Sequence, residues 1–191
     1  MAFVHLHNHS EYSMLDGATR VSDMVNRAVE LGMPAVALTD HGYMYGIPEL
    51  GLACDAVNNA ALDFKQWKHD KTAFAKGDFG EAPEDDKARA QWERDRAAWE
   101  AEGSLEGTKP DPVIKPIFGC EVYFTPDETL SRDRKPELYH MILIARNETG
   151  YVNLMQTVSE AATQGFYYKP RVTLDNLRRH REGLIATSAC I

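Results

Sequence analysis

The chain has 191 residues, 43% of them hydrophobic and 26% charged, with a formal net charge of −8. That length and balance suit one globular domain, or one domain plus an insertion, and the acidic excess excludes a protein that attracts nucleic acid by net charge alone. No apolar run reaches membrane-spanning length and the start is rich in histidine rather than apolar residues, so a cytoplasmic protein with no membrane partner is expected.

The opening FVHLHNH alternates, with Phe3, His5, His7 and His9 on one side and Val4 and Leu6 on the other, the period-two pattern of a strand. Ser22 suits the N-cap of a helix, VSDMVNRAVEL, that stops at Gly32. PAVALTDHG reads as a buried strand running into a polar turn, and a second helix is expected over about 46–57. KPIFGCEVYFTP and LYHMILIARN read as strands. ETGYVNLMQTVSEAA reads as a helix, with Tyr151, Leu154, Met155 and Val158 on one face. GLIATSACI reads as a last strand. Strands alternating with helices imply an α/β fold with a mainly parallel sheet, whose active sites gather at the C-terminal strand ends.

Residues 57–112 break this rhythm. All three tryptophans lie there, and two segments, about 60–76 and 84–102, look helical, with GDFGEAP as a turn between them. Phe64, Trp67 and Phe74 share one face of the first, and Trp92 and Trp99 one face of the second. The expectation is a helical hairpin inserted into the domain, its aromatics packed on each other. The three cysteines, Cys54, Cys120 and Cys190, are odd in number and far apart, so each is a core thiol or a ligand rather than part of a disulfide framework.

On a strand, His7 and His9 point to the same face roughly 7 Å apart, and two converging imidazoles suit zinc or another transition metal. Asp16 can return to them after the turn. His41 follows an apolar strand, Glu121 lies on one, and His140 sits near the start of another. Any one histidine alone is better explained as a satisfied core or surface residue. The placement of several at equivalent strand ends favours a metal site.

HLHNHSEYSMLDG, TDHG, GCEVYF and FYYKPR, in this order, resemble the N-terminal polymerase-and-histidinol-phosphatase (PHP) domain of bacterial DNA polymerase III alpha subunits. The resemblance covers the chain except 57–112, where a shorter connection is usual, and it makes the chain the N-terminal part of a longer polymerase. It implies a distorted (β/α)7 TIM-like barrel, incomplete at the C-terminus because the family's last ligand motif falls beyond Ile191. It also implies two or three divalent ions, zinc and/or manganese. Ligand roles fall on His7, His9, Asp16, His41, Glu121, His140 and Cys190, which would act catalytically through the bound metal. Asp40 is expected to orient a ligand by hydrogen bond; no role is assigned to His5. Lys169 and Arg171 are candidates for phosphate contact, whereas Arg178 and Arg179 read as a solvated helix face.

The implied activity is metal-dependent phosphodiester hydrolysis, a 3′→5′ proofreading exonuclease inside a DNA-directed DNA polymerase whose own catalytic residues lie outside this chain. The partners would be DNA and other replicative polymerase subunits. One alternative is a metal-stabilised structural domain that braces the polymerase or docks a proofreading subunit. Another is a stand-alone metallo-phosphoesterase.

Overall fold

The computed structural model describes residues 3–70, 81–102 and 113–189, without the side chains of 62–70, 95 and 98–102. Its residues group into two compact units, Met1–Asp55 with Ile114–Ile191, and Ala56–Val113.

The first unit is built on a mixed sheet rather than a mainly parallel one. Strand β1 (Ala35–Leu38), buried throughout, pairs in parallel with β2 (Lys115–Phe124). β2 pairs antiparallel with β3 (Tyr139–Ala145), which pairs antiparallel with β5 (Leu184–Ser188). The two-residue β4 (Arg171–Val172) lies parallel to β2 at Tyr123 and Phe124. The antiparallel β2–β3 pair follows from a direct return, residues 125–138, that carries no helix and so cannot make the crossover a parallel neighbour needs.

Period two along β2 divides the work of its two faces. Cys120 and Val122 join Leu143, Leu154, Val158, Ala161 and Val172 in a buried apolar cluster. Glu121 and Tyr123 face the other way, opposite Ile142 and His140 on β3. Helix α4 (Glu148–Thr163) supplies Leu154, Val158 and Ala161, and Asn147 caps it by accepting from the Gly150 N–H at 2.9 Å. Met155, expected on that buried face, is 38% exposed.

Helix α1 (Val21–Glu30) buries Val21, Val25 and Ala28. Its N-cap is Arg20 rather than Ser22, because the first helical bond runs from the Met24 N–H to the Arg20 carbonyl. Its end is a Schellman turn. Gly32, at φ +68°, donates to the Val29 carbonyl and Met33 to the Ala28 carbonyl. Helix α2 (Ile47–Asp70) is continuous where two segments, 46–57 and 60–76, were expected, and residues 71–76 lie outside the described residues. Helix α3 (Asp86–Glu102) matches the second expected insertion helix, and the Arg96 guanidinium sits 5.5 Å from the centre of the half-buried Trp92 ring. The shared faces expected of Phe64, Trp67, Phe74 and Trp99 lie outside the described side chains. Helix α5 (Leu174–His180) is capped by Thr173 and pins to α4 through Arg179 and His180, both on Glu160.

The opening segment is not a ladder strand. It runs beside β1 with two main-chain bonds to it, Ala37 N–H to His5 O at 3.4 Å and Thr39 N–H to Asn8 O at 2.9 Å. The Asn8 amide replaces the missing rungs, donating to Ala37 O at 3.0 Å and His5 O at 3.2 Å. A side chain standing in for the backbone removes the regular pairing that alternation predicted.

Candidate metal centre

Asp40, just past β1, fixes the turn that carries the first candidate ligands. Its buried carboxylate accepts from Ser10 N–H and Ser13 Oγ, each at 2.7 Å, and from Ser10 Oγ at 2.8 Å. Ser13 Oγ in turn accepts from the His41 N–H at 3.1 Å. Gly17 closes the turn under Ser10. A Cβ there would stand 1.8 Å from the Ser10 carbonyl oxygen, so only glycine fits. Glu121 is aligned with this region by a parallel bridge to His41. The Gly42 N–H donates to Glu121 O at 2.7 Å and the Glu121 N–H to Asp40 O at 3.1 Å.

Five of the predicted ligands meet around Glu121, which is 1% exposed. His7 Nε2 lies 2.5 Å and His9 Nε2 2.8 Å from Glu121 Oε2, and the two ring nitrogens are 3.1 Å apart. His41 Nε2 lies 2.8 Å from Asp16 Oδ2, and His9 Nδ1 3.4 Å from the same oxygen. His140 Nδ1 stands 2.6 Å from Glu121 Oε1. His140 reaches the site although it starts its strand, because β3 runs against β2 and places it opposite Tyr123.

Burial alone would raise the Glu121 carboxyl. Hydrogen bonds from His7 and His9 and the nearby rings of His41 and His140 outweigh it and hold the group below its usual range. The hydrogen bond from His41 likewise holds Asp16 low. Both carboxylates are therefore ionised at neutral pH.

Two compact sets of donor atoms result, His7–His9–Glu121 and His9–Asp16–His41, each with its atoms within 4.8 Å of one another. Nitrogen and carboxylate oxygen are the donors that zinc and manganese accept. Around the buried Glu121 Oε1, His140 Nδ1 lies at 2.6 Å and His41 Nδ1 at 3.3 Å, the latter without the alignment for a hydrogen bond. Nitrogen and oxygen lone pairs that converge this closely fit a cation. A neutral imidazole offers one lone-pair nitrogen, so His9 can serve only one of the two sets at a time.

The remaining expectations divide. Cys190 lies outside the described residues. His5 is exposed and edge-on to Phe3, outside the cluster. Asp40 touches no ligand side chain; it acts on the main chain of His41 and on Ser10 and Ser13. Lys169 is at the site, with its Nζ 5.0 Å from the centre of the Tyr123 ring. Arg171 is not available for phosphate. It is 1% exposed, and its guanidinium donates to the carbonyls of Gly165, Ser131 and Leu130 at 2.7–2.8 Å. Arg179, expected on a solvated helix face, is exposed and also paired with Glu160 and Asp175. Sequence reasoning missed Ser10 and Ser13. Their signal was present: a buried Asp needs donors, and two hydroxyls three residues apart follow the histidine cluster.

The PHP domain model matches residues 5–191 of this chain. The DNA polymerase III subunit alpha of Treponema pallidum is 37% identical over all of the chain, which covers 12% of that protein. The corresponding subunit of Helicobacter pylori strain J99 is 36% identical, with all of the chain covering 11% of it, and that of Borreliella burgdorferi is 34% identical, with 99% of the chain covering 12%. The chain thus spans about an eighth of the length of these curated relatives, and it belongs to the PHP domain family.

Proposed function

We propose that this member of the PHP family is the metal-binding domain of a DNA polymerase III alpha subunit and hydrolyses phosphodiester bonds as a 3′→5′ proofreading exonuclease. In this reading the fold is the family's distorted (β/α)7 barrel, 57–112 is a helical insertion in it, and the partners are DNA and the other replicative subunits in the cytoplasm. Among the described residues no helix is long and apolar enough to cross a membrane.

The gathering of His7, His9, Asp16, His41 and Glu121 into two adjoining sets of donor atoms supports the reading most directly. These residues would hold two divalent ions, zinc or manganese, with His140 beside Glu121 and with Cys190 as a further ligand. When bound, such ions supply a water acidic enough to be hydroxide near neutral pH and positive charge against phosphate oxygens. The chain's own residues do the rest. Glu121 and Asp16 enter ionised, and the Asp40–Ser13 contact fixes His41. Lys169 presents an ammonium where a phosphate would approach. The net reaction adds water across the terminal phosphodiester. The P–O3′ bond breaks, a nucleoside 5′-monophosphate leaves, and the shortened strand keeps a protonated 3′-hydroxyl.

A bracing role is the second reading. The ligands come from separated segments, so a bound ion would tie the opening segment to β2 whether or not it also hydrolyses DNA. The two separate on His9→Ala in the full-length polypeptide. Hydrolysis predicts a strong loss of metal-dependent exonuclease activity with nucleotide incorporation largely kept. Undiminished exonuclease in a folded variant refutes it, and a metal-loaded parent with no exonuclease activity leaves bracing as the account.

A further inference from the structure

Beside the cluster lies an open cavity of about 930 Å³, whose wall runs from Asp16, His41 and His140 to Tyr45, Tyr168 and Lys169. Its aromatic side is unusual for a surface in water. Tyr45 is 65% exposed and lies parallel on Tyr43, ring centres 5.1 Å apart at 9°. Tyr168 is 73% exposed and sits at φ +61°, the left-handed region that suits glycine. It forms the apex of a tight reversal in which the Tyr167 N–H donates to the Lys169 carbonyl at 3.1 Å. A bulky residue is held in a strained conformation there; its ring lies edge-on to Tyr167, ring centres 4.6 Å apart, and is otherwise open to solvent. A second cavity, about 430 Å³, adjoins through Tyr168 and Lys169 and adds Lys135. Two lysines therefore mark a line leading away from the cluster, on a chain whose net charge is −8.

We propose that this groove receives the last unpaired nucleotides of a DNA strand, with bases stacked on Tyr45 and Tyr168 and backbone phosphates on Lys169 and Lys135. The proposal rests on the phosphodiesterase reading above and names how its substrate is selected. Bases in a duplex are already stacked on each other, whereas unpaired bases can lie on tyrosine faces. The groove thereby favours frayed or mismatched ends over paired ones. Two carboxylates, Glu11 and Asp16, line the same cavity as Lys169; neither lines the adjoining cavity that holds Lys135.

The test uses the full-length polypeptide and a short deoxyoligonucleotide ending in 3′ 5-iodouracil, irradiated in chelator so that no hydrolysis occurs. Crosslinks are expected on Tyr45 or Tyr168, and they should disappear in a Tyr45→Ala/Tyr168→Gly double variant. Tyr168→Gly alone keeps a backbone that glycine prefers, so its melting temperature should not fall. Its KM for a base-bearing single strand should rise about tenfold or more, while an oligonucleotide with abasic 3′ residues is processed as by the parent. Lys135→Ala should flatten the salt dependence of KM. Crosslinks confined to peptides outside 43–45 and 166–169 overturn the proposal, as does a Tyr168→Gly protein that handles both substrates like the parent. If the crosslinks form but the metal-restored parent hydrolyses nothing, the groove stands and the phosphodiesterase reading fails.

Discussion

Replacing Asp40 separates the metal centre from the scaffold that orders it. The carboxylate accepts three hydrogen bonds from Ser10 and Ser13 and is 3% exposed. Hydrogen bonds to a charged partner contribute about 1.5–3 kcal/mol each, and three on one group are not additive. Asp40→Ala should therefore cost about 3–4 kcal/mol in ordering the turn that carries His9 and Asp16. If the metal must reorder that turn, about 3 kcal/mol appears as roughly a hundredfold weaker binding. Asp40→Asn keeps an oxygen for Ser10 N–H and Ser13 Oγ, and its amide can donate to Ser10 Oγ. It should weaken binding about tenfold or less. Zinc affinity by chelator competition, with circular dichroism to verify folding, measures both. A folded Asp40→Ala protein that binds zinc within threefold of the parent would refute the scaffold argument. An Asn variant as poor as Ala would show that the charge, rather than the bonds, is what matters.

Arg171→Met should destabilise the domain by about 3 kcal/mol in urea unfolding, because three backbone carbonyls lose their donor. Lysine should not rescue it, since one ammonium cannot replace the fork. Gly17→Ala should weaken zinc binding, because its Cβ would meet the Ser10 carbonyl at 1.8 Å and displace the ligand turn. The Arg179 hydrogen bond holds Glu160 down to about 2 in the folded state, so its contribution is present above about pH 4.5 and is lost as pH falls towards 2. Glu160→Gln should therefore cost about 1 kcal/mol at neutral pH, after allowance for solvent screening, and nothing in melts near pH 2. Replacing about 60–108 with a short Gly-Ser linker should leave a cooperative melt and zinc affinity within a few-fold of the parent; loss of the melt would place the insertion in the main core.

The sequence made the elements of the second half legible because their signals are local. β2, β3 and α4 lie where apolar runs and a 3.6 period put them, and Glu121 and His140 lie on the two strands. What it concealed was pairing direction and polar substitution. Nothing in LYHMILIARN says that it runs against KPIFGCEVYF, so the argument from shared C-terminal strand ends expected residues to converge that do converge, but by the wrong geometry. His140 is in place because antiparallel pairing brings the start of β3 to Tyr123. The opening alternation was a true reading of side-chain direction for His7 and His9. It was a false one of hydrogen bonding, because Asn8 and Thr39 close the segment onto β1 with their side chains. Arg171 shows the opposite error. A cation near the site read as a phosphate contact, yet its donors are consumed by backbone carbonyls that only the folded loop brings together.

The alternation of β2 has a consequence for how the centre can be probed. Glu121 is flanked by Cys120 and Val122, which are fully buried on the opposite face. Substituting either neighbour perturbs packing against α4, whereas substituting Glu121 removes the carboxylate that His7, His9, His41 and His140 surround. In metal-free protein those rings are themselves what keeps Glu121 ionised while buried, so histidine and glutamate depend on one another before any ion arrives. Truncating one partner leaves the others desolvated and unpaired, which costs more than the contact it removes. Loss of activity in a single ligand variant is therefore informative only beside a folding measurement. The groove residues Tyr45 and Tyr168 are free of that coupling, because their rings are largely exposed and make no hydrogen bond to the cluster's carboxylates among the described contacts.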